Sequence, residues 1–190
     1  RSFLVSGVPG TNKAVEQTDT SFRLTKQVAD GLVDMQEVSK GLFLVQSEMA
    51  FKKETELCEE YPERKVFQLS FCMNGICEWD YRQKRGEHYR LSPTQCSLQC
   101  GTFSQCVSHF GSEEPYRTLS ISLEQERFLP LAEDLEAAHL IRRDSKICTH
   151  IFSTTPEIRL VLQQLLDCPP ERKLRKLYLE GKVLELVSLF

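Results

Sequence analysis

An α+β fold is expected, with a block of antiparallel strands followed by a block of helices. Three observations predict it. Between about residues 41 and 123, apolar residues recur with period two in short runs separated by turn residues. After residue 123 the spacing lengthens to that of a helix. No helical pattern interrupts the strand runs, which argues for an antiparallel barrel or sandwich rather than a sheet wound from β-α-β units.

Residues 1–30 are polar and weakly patterned, and read as an arm that leads through Gln27-Val28-Ala29-Asp30-Gly31 into the strand block, residues 31–123. Gly41-Leu42-Phe43-Leu44-Val45 is almost continuously apolar, and Ser47 to Phe51 alternates loosely behind it. Val66-Phe67-Gln68-Leu69-Ser70-Phe71 alternates as a half-buried strand does. Asn74-Gly75 follows, then Ile76 to Tyr81. An Asn-Gly pair between two such runs is expected to form a type I′ hairpin, whose central positions both need positive φ. Cys72 and Cys77 would face each other across it. Gly86 marks a turn, His88 to Leu91 a strand and Ser92-Pro93-Thr94 a break. Cys96 to Cys100 and Ser104 to Phe110 read as two further strands, and a polar loop over residues 111–115 precedes Tyr116 to Leu123.

Residues 124–190 form the helical block. Glu124 to His139 is acidic and amphipathic, with Phe128, Leu131 and Leu135 on one face. Thr155 is placed to cap a second helix with Pro156 in its first position, and Ile158, Val161, Leu162 and Leu165 follow at helical spacing. After Cys168-Pro169-Pro170, a third helix runs from Glu171 to Leu189 with Leu174, Leu177, Leu184 and Val187 along one stripe. Gly181 lies inside it, at a cost of about 1 kcal/mol relative to Ala.

Composition narrows the function. The 190 residues are 41% hydrophobic, with 24 Lys+Arg against 27 Asp+Glu and a net charge of −3. A surface that neutralises many phosphates needs a basic excess, so these residues are not read as a nucleic-acid binder. No apolar run reaches the roughly 18 residues of a membrane span. Arg1 to Gly10 has too short an apolar core for a signal peptide. A cytoplasmic location is therefore expected, with the eight cysteines reduced. Position 1 is not Met, so a fragment or a processed chain is expected.

Catalysis is not expected. The chain has no Gly-x-Ser-x-Gly elbow, P-loop or dinucleotide fingerprint, and Glu59-Glu60 and Glu113-Glu114 sit in polar stretches. His88, His109, His139 and His150 include no His-x-His pair, and a facing His88–His109 pair would supply only two metal ligands. Cys96-x3-Cys100-x5-Cys106-x2-His109 has zinc-ligand types without the Cys-x2-Cys spacing of a knuckle, and reads first as small thiols packed in a core. No cofactor is expected. The aromatic residues Phe67, Phe71, Trp79, Tyr81, Tyr89 and Phe103 fall in the central strands. Phe71, Trp79, Tyr81 and Tyr89 could line a pocket for a flat organic ligand, with Arg90 or His109 to orient it. Plain core packing is the alternative.

The order of these features resembles the N-terminal regulatory part of AraC/XylS-type transcription regulators, in the pyochelin-responsive subgroup. The resemblance rests on Gly41-Leu42-Phe43-Leu44, Phe67-Gln68-Leu69-Ser70-Phe71, Asn74-Gly75 with Trp79-Asp80-Tyr81, and Leu119-Ser120-Ile121 before an acidic helix. Its most specific stretches are Ile151 to Glu157, Leu165 to Pro170 and Leu177-Tyr178-Leu179-Glu180-Gly181-Lys182-Val183-Leu184-Glu185-Leu186. It covers roughly residues 28–190. The resemblance implies a cupin-like antiparallel β-barrel followed by C-terminal helices, sensing a small molecule such as a ferric siderophore. It also implies that the last helix relays to a DNA-binding region; its stripe of Leu174, Leu177, Leu184 and Val187 needs cover, which a homodimer contact or a neighbouring part of a longer chain would supply. DNA would be bound only through two helix-turn-helix motifs, for which these residues leave no room. A metal-dependent cupin enzyme and a thiol- or metal-based redox sensor are the rival readings; the high cysteine content, which the subgroup does not lead one to expect, keeps the second open.

Overall fold

The computed structural model describes residues 2–6, 15–17, 21–24, 26–82, 86–137, 147–171 and 173–190. The strands are β1 (Ser2–Ser6), β2 (Val15–Gln17), β3 (Ser21–Leu24), β4 (Ala29–Ser39), β5 (Leu42–Phe51), β6 (Thr55–Asn74), β7 (Cys77–Tyr81), β8 (His88–Leu91), β9 (Gln95–Phe110), β10 (Tyr116–Leu123) and β11 (Ile147–Ser153). The helices are α1 (Gln125–Ala137), α2 (Pro156–Leu166) and α3 (Arg175–Ser188). The strands form one antiparallel sheet in the order β2-β3-β4-β5-β10-β6-β9-β7-β8, with β1 added to β6 and β11 to β9. The ends of this path, β2 and β8, do not pair among the described residues, so the sheet curls without closing into a barrel. The expected class, α+β and cupin-like, describes it otherwise.

Local features of the sheet differ from the sequence reading. Residues 96–110 lie in one long strand rather than two, because β6 pairs with it from Thr55 to Phe71 on both sides of a register shift between Glu60 and Arg64. A strand, β11, interrupts the helical block; it takes the edge of β9 at residues 95–101. Asn74-Gly75 is not a hairpin turn. β6 is bonded to β10 on one side and β9 on the other, so β7 has no edge of β6 to pair with and adds to β9 and β8 instead. The turn is a crossing corner. Gly75 has φ +73°, a Cβ there would stand 2.9 Å from the Pro115 carbonyl oxygen, and Asn74 Nδ2 donates to that same oxygen at 2.6 Å. Cys72 and Cys77 near this corner are buried, unbridged thiols.

Two apolar clusters lie on opposite sides of the strands. One joins Leu42, Leu44, Phe67, Leu69, Phe71, Leu119, Ile121 and Leu123 to all three helices. The other, inside the curl, joins Val33, Val45, Met49, Leu57, Cys77, Trp79, Tyr81, Leu91 and Phe110.

Helix α1 packs Phe128 on Phe67 with ring centroids 5.0 Å apart. The side chains of Leu131, Leu135 and Phe103, and all of His139, lie outside the described residues. Helix α2 starts as its sequence predicts: Thr155 Oγ1 accepts from the Ile158 N–H, Pro156 follows, and Ile158, Val161, Leu162 and Leu165 are buried. Helix α3 begins at Arg175 rather than Glu171, with Leu174 as its left-handed N-cap at φ 56°, and it turns a different stripe inward. Leu179, Val183 and Leu186 are buried, while Leu174, Leu177 and Leu184 are exposed and Val187 is half-buried. The buried positions continue without a gap to Phe190, whereas Gly181 and Ser188 interrupt the other line. Glu180 of α3 accepts from Ser39 at 2.9 Å and pairs with Arg127 of α1. Arg175 donates to Gln36 of β4 at 2.7 Å. No described helix is long and apolar enough to cross a membrane.

Candidate functional site

Strict alternation along β5, β10, β6 and β9 gives this four-strand wall two linings of different chemistry. Across the register, Leu44, Ile121, Leu69 and Leu98 form a row that faces the helices. One residue along, Val45, Ser120, Ser70 and Ser97 form a row that faces the interior of the curl. Thr118 with Ser47, and Gln68 with Gln99, continue this polar lining. The hydroxyls are as inaccessible as the apolar core, Ser97 being 0% and Ser120 8% exposed. Buried hydroxyls require partners, and these side chains partner one another. Gln68 donates to Ser70 at 3.0 Å, Ser70 and Ser120 lie 2.9 Å apart, and Gln99 donates to Ser97 at 3.3 Å. Tyr81 completes the lattice from the opposite wall, donating to Gln99 Oε1 at 2.9 Å.

This polar face borders a cavity of about 120 Å³. Its other walls are Val33, Val45 and Met49 from β4 and β5, Trp79 and Cys77 from β7, and Leu91 from β8. Glu59, Tyr116, Cys106 and Ser108 complete the polar inventory. No Lys, Arg or His side chain lines it among the described residues. Trp79 Nε1 is buried with no hydrogen bond of good geometry, although it stands close enough to the Tyr81 hydroxyl to lower that group's pKa. Burial dominates at Tyr81 and pushes its phenol up, so the group is a neutral donor. Tyr116 is pushed up for the same reason.

The structure brings together only part of the predicted ligand set. Trp79 lines the cavity. Tyr89, directly across from it on β8, stacks on it at 5.5 Å, and Tyr81 meets Tyr89 edge-on at 5.7 Å. Phe71 lies on the helix-facing side with Phe190 against it, on the far side of the wall from the cavity. Arg90 is exposed and pairs with Glu78 at 3.4 Å on the outer face of β7 and β8. His109 is also outside, because Asp80, its partner, alternates with the inward-facing Trp79 and Tyr81. The Ser and Gln lining was missed because alternation alone marks polar positions as solvent-facing; the helices that cover the opposite face reverse this.

His88 and His109 do meet, not across the interior but on either side of Asp80. Asp80 accepts contacts from His109 Nε2 at 2.8 Å and His88 Nδ1 at 3.0 Å. Partial burial works to raise the Asp80 pKa, yet the two histidine hydrogen bonds and charges outweigh it and hold the carboxyl below its ordinary value. Among the described residues no group of three or more His, Cys, Asp or Glu is disposed to hold a metal ion. Burial pushes Cys72 and Cys96 up to about 11 and Cys77 to about 12, which keeps these sulfurs protonated and poor as ligands or nucleophiles.

Comparisons with known proteins follow from this geometry. The AraC-like transcriptional activator CuxR is similar in structure, with a TM-score of 0.57 at 9% identity over 92% of this chain and 60% of that one. The apo K231A form of ToxT from Vibrio cholerae gives a TM-score of 0.56 at 11% identity, over 82% of this chain and 56% of that one. At these identities the likeness is one of fold, and the chain spans little more than half the length of either protein. No curated protein matches the sequence. Residues 30–190 match the family described as the regulatory protein PchR N-terminal domain, and the chain belongs to that family.

Proposed function

We propose that this PchR-type regulatory domain holds a small effector in the cavity behind Trp79 and passes its presence to α1, α2 and α3 through the strands that the two share. The observation that carries the reading is the buried hydroxyl and amide face of β6, β9 and β10. Burying such groups gains far less than burying apolar ones, so an interior built only for stability has little use for them. Cavity and helices are separated by the thickness of one wall: Ser120 faces the effector side, and its neighbours Leu119 and Ile121 touch the helix-side cluster. An effector that favours one placement of the wall therefore biases the helices, provided it binds the two placements unequally.

The cavity is smaller than the roughly 300–1,000 Å³ of sites for drug-sized ligands, and close to those that admit a single aromatic ring. A siderophore-sized effector would need the curl to open. Trp79 is the proposed contact, with Tyr81 and Tyr89 as its supports. The exposed Leu174 at the start of α3 and Leu177 and Leu184 on it are the proposed contact to a second copy or to the DNA-binding part of the longer regulator. In this reading the protein is cytoplasmic, not an enzyme, and touches DNA only through residues outside those given.

Thermal shift and Trp79 fluorescence with single-ring phenols and alcohols, haem and siderophores test the proposal. A concentration-dependent stabilisation that is lost in Ser120→Leu, which fills the cavity, is expected. Binding that Ser120→Leu leaves intact would place the effector elsewhere and overturn it.

A further inference from the structure

Six of the eight cysteines are buried; Cys100 and Cys148 are the two that are partly open. These two are also direct partners in the register of β9 and β11. Their spacing follows from the ladder. The Thr154 N–H donates to the Thr94 carbonyl at 2.8 Å, which makes residues 94 and 154 a hydrogen-bonded pair. Hydrogen-bonded and non-hydrogen-bonded pairs alternate along an antiparallel ladder, so 96 with 152, 98 with 150 and 100 with 148 are of the same kind. Opposed residues in such a pair stand about 5.5 Å apart at Cα with both side chains on one face, within the disulfide range. Their Cβ atoms are also about 5.5 Å apart and must close by about 1 Å to reach the disulfide Cβ spacing, so the bridge would draw β11 against β9 and be readily reduced. Cys100 and Phe152 both pack against the helix-side cluster, which fixes that face as the one turned toward the helices.

We propose that Cys100 and Cys148 form a reversible dithiol–disulfide site, oxidised by a low-molecular-weight disulfide of the glutathione class. One cysteine thiolate attacks the small disulfide, forms a mixed disulfide and expels one small thiolate. The second cysteine, as thiolate, then attacks the protein sulfur of that mixed disulfide and expels the other. Two electrons pass from the cysteine pair to the small disulfide, and the two cysteine protons end on the two released thiols. The other six thiols are buried, which limits the access that exchange requires, and burial also pushes the Cys72, Cys77, Cys96 and Cys106 thiols up, away from the thiolate. The bond would fasten the first half of β11 to β9. Among the described residues strand β11 pairs with β9 alone, and it leads within three residues into α2, so the bridge acts on the junction between the sheet and the second helix.

Oxidised glutathione, added to the native protein, tests this, followed by thiol counting and by peptide mapping without reduction. The expected result is loss of two thiols, a mass lower by two hydrogens and one crosslinked peptide joining residues 100 and 148, all reversed by dithiothreitol. In Cys148→Ser, Cys100 should instead carry one glutathione and no crosslink. Slower amide exchange over β11 in the oxidised wild type gives a readout independent of any variant. A crosslink between any other pair, separate glutathione adducts on both cysteines of the wild type, or no thiol consumed would each overturn the proposal.

Discussion

The two linings of the central wall both hold buried residues and are built on opposite principles. On the helix side, Phe67, Leu69, Ile121 and Leu98 contribute through apolar area, about 1.5–3 kcal/mol for each side chain fully buried. On the cavity side, Ser70 with Ser120 and Gln68, and Ser97 with Gln99, contribute through hydrogen bonds, each worth only about 0.5–1.5 kcal/mol net. Burial therefore does not by itself mark the stabilising core. The helix side of the wall carries more of the stability than the cavity side.

Substitutions at neighbouring positions can separate the two sides. The largest effect is expected for Phe67→Ala, which removes the ring stacked on Phe128 and leaves a cavity under α1; chemical denaturation should show a loss of about 3–5 kcal/mol. Ile121→Ala, one row away on the same face, should cost about 2–5 kcal/mol in the same measurement. Ser120→Ala, the adjacent residue with its side chain on the other face, should cost about 1 kcal/mol, since only the bond to Ser70 is lost. A loss at Ser120 as large as that at Ile121 would break the contrast.

The smallest expected effect lies outside both linings. The folded pKa of Asp80 is depressed, so its contribution is present above the unfolded carboxylate value and disappears as pH falls through the lower folded value. Asp80→Asn should lower the neutral plateau of a stability-against-pH curve slightly and so flatten its acid limb, leaving stability below the folded Asp80 value unchanged. The site is half open to solvent, so the change is small and screened by salt.

Much of this organisation was legible in the sequence. The Thr155-Pro156 start of α2 and its four buried residues follow from local capping and spacing, which need no knowledge of the rest of the fold. The period of Phe67 to Phe71 and Leu119 to Leu123 was equally plain. What lay opposite each face was not, because a period assigns side chains to two sides without saying that helices cover one and a closed interior the other. Asn74-Gly75 was misread for a related reason: its local signal is that of a hairpin, but both edges of β6 were already taken by strands distant in sequence. In α3 two apolar lines were visible, and only packing chose Leu179, Val183 and Leu186 over Leu174, Leu177 and Leu184. Strand β11 was hidden by its mixed composition, Cys-Thr-His-Ile-Phe, and exists because β9 has an edge to offer it.

The back-to-back wall also constrains how such a domain can change over generations. Adding or deleting one residue within 67–71 or 118–122 would exchange the linings along that strand, turning aromatic and branched side chains into the chamber and setting hydroxyls against the helices. Length variation should therefore be confined to exposed connections such as residues 111–115, where an extra residue shifts no pairing. Homologues that differ in the size of their chamber should do so by exchanging side chains along a fixed frame.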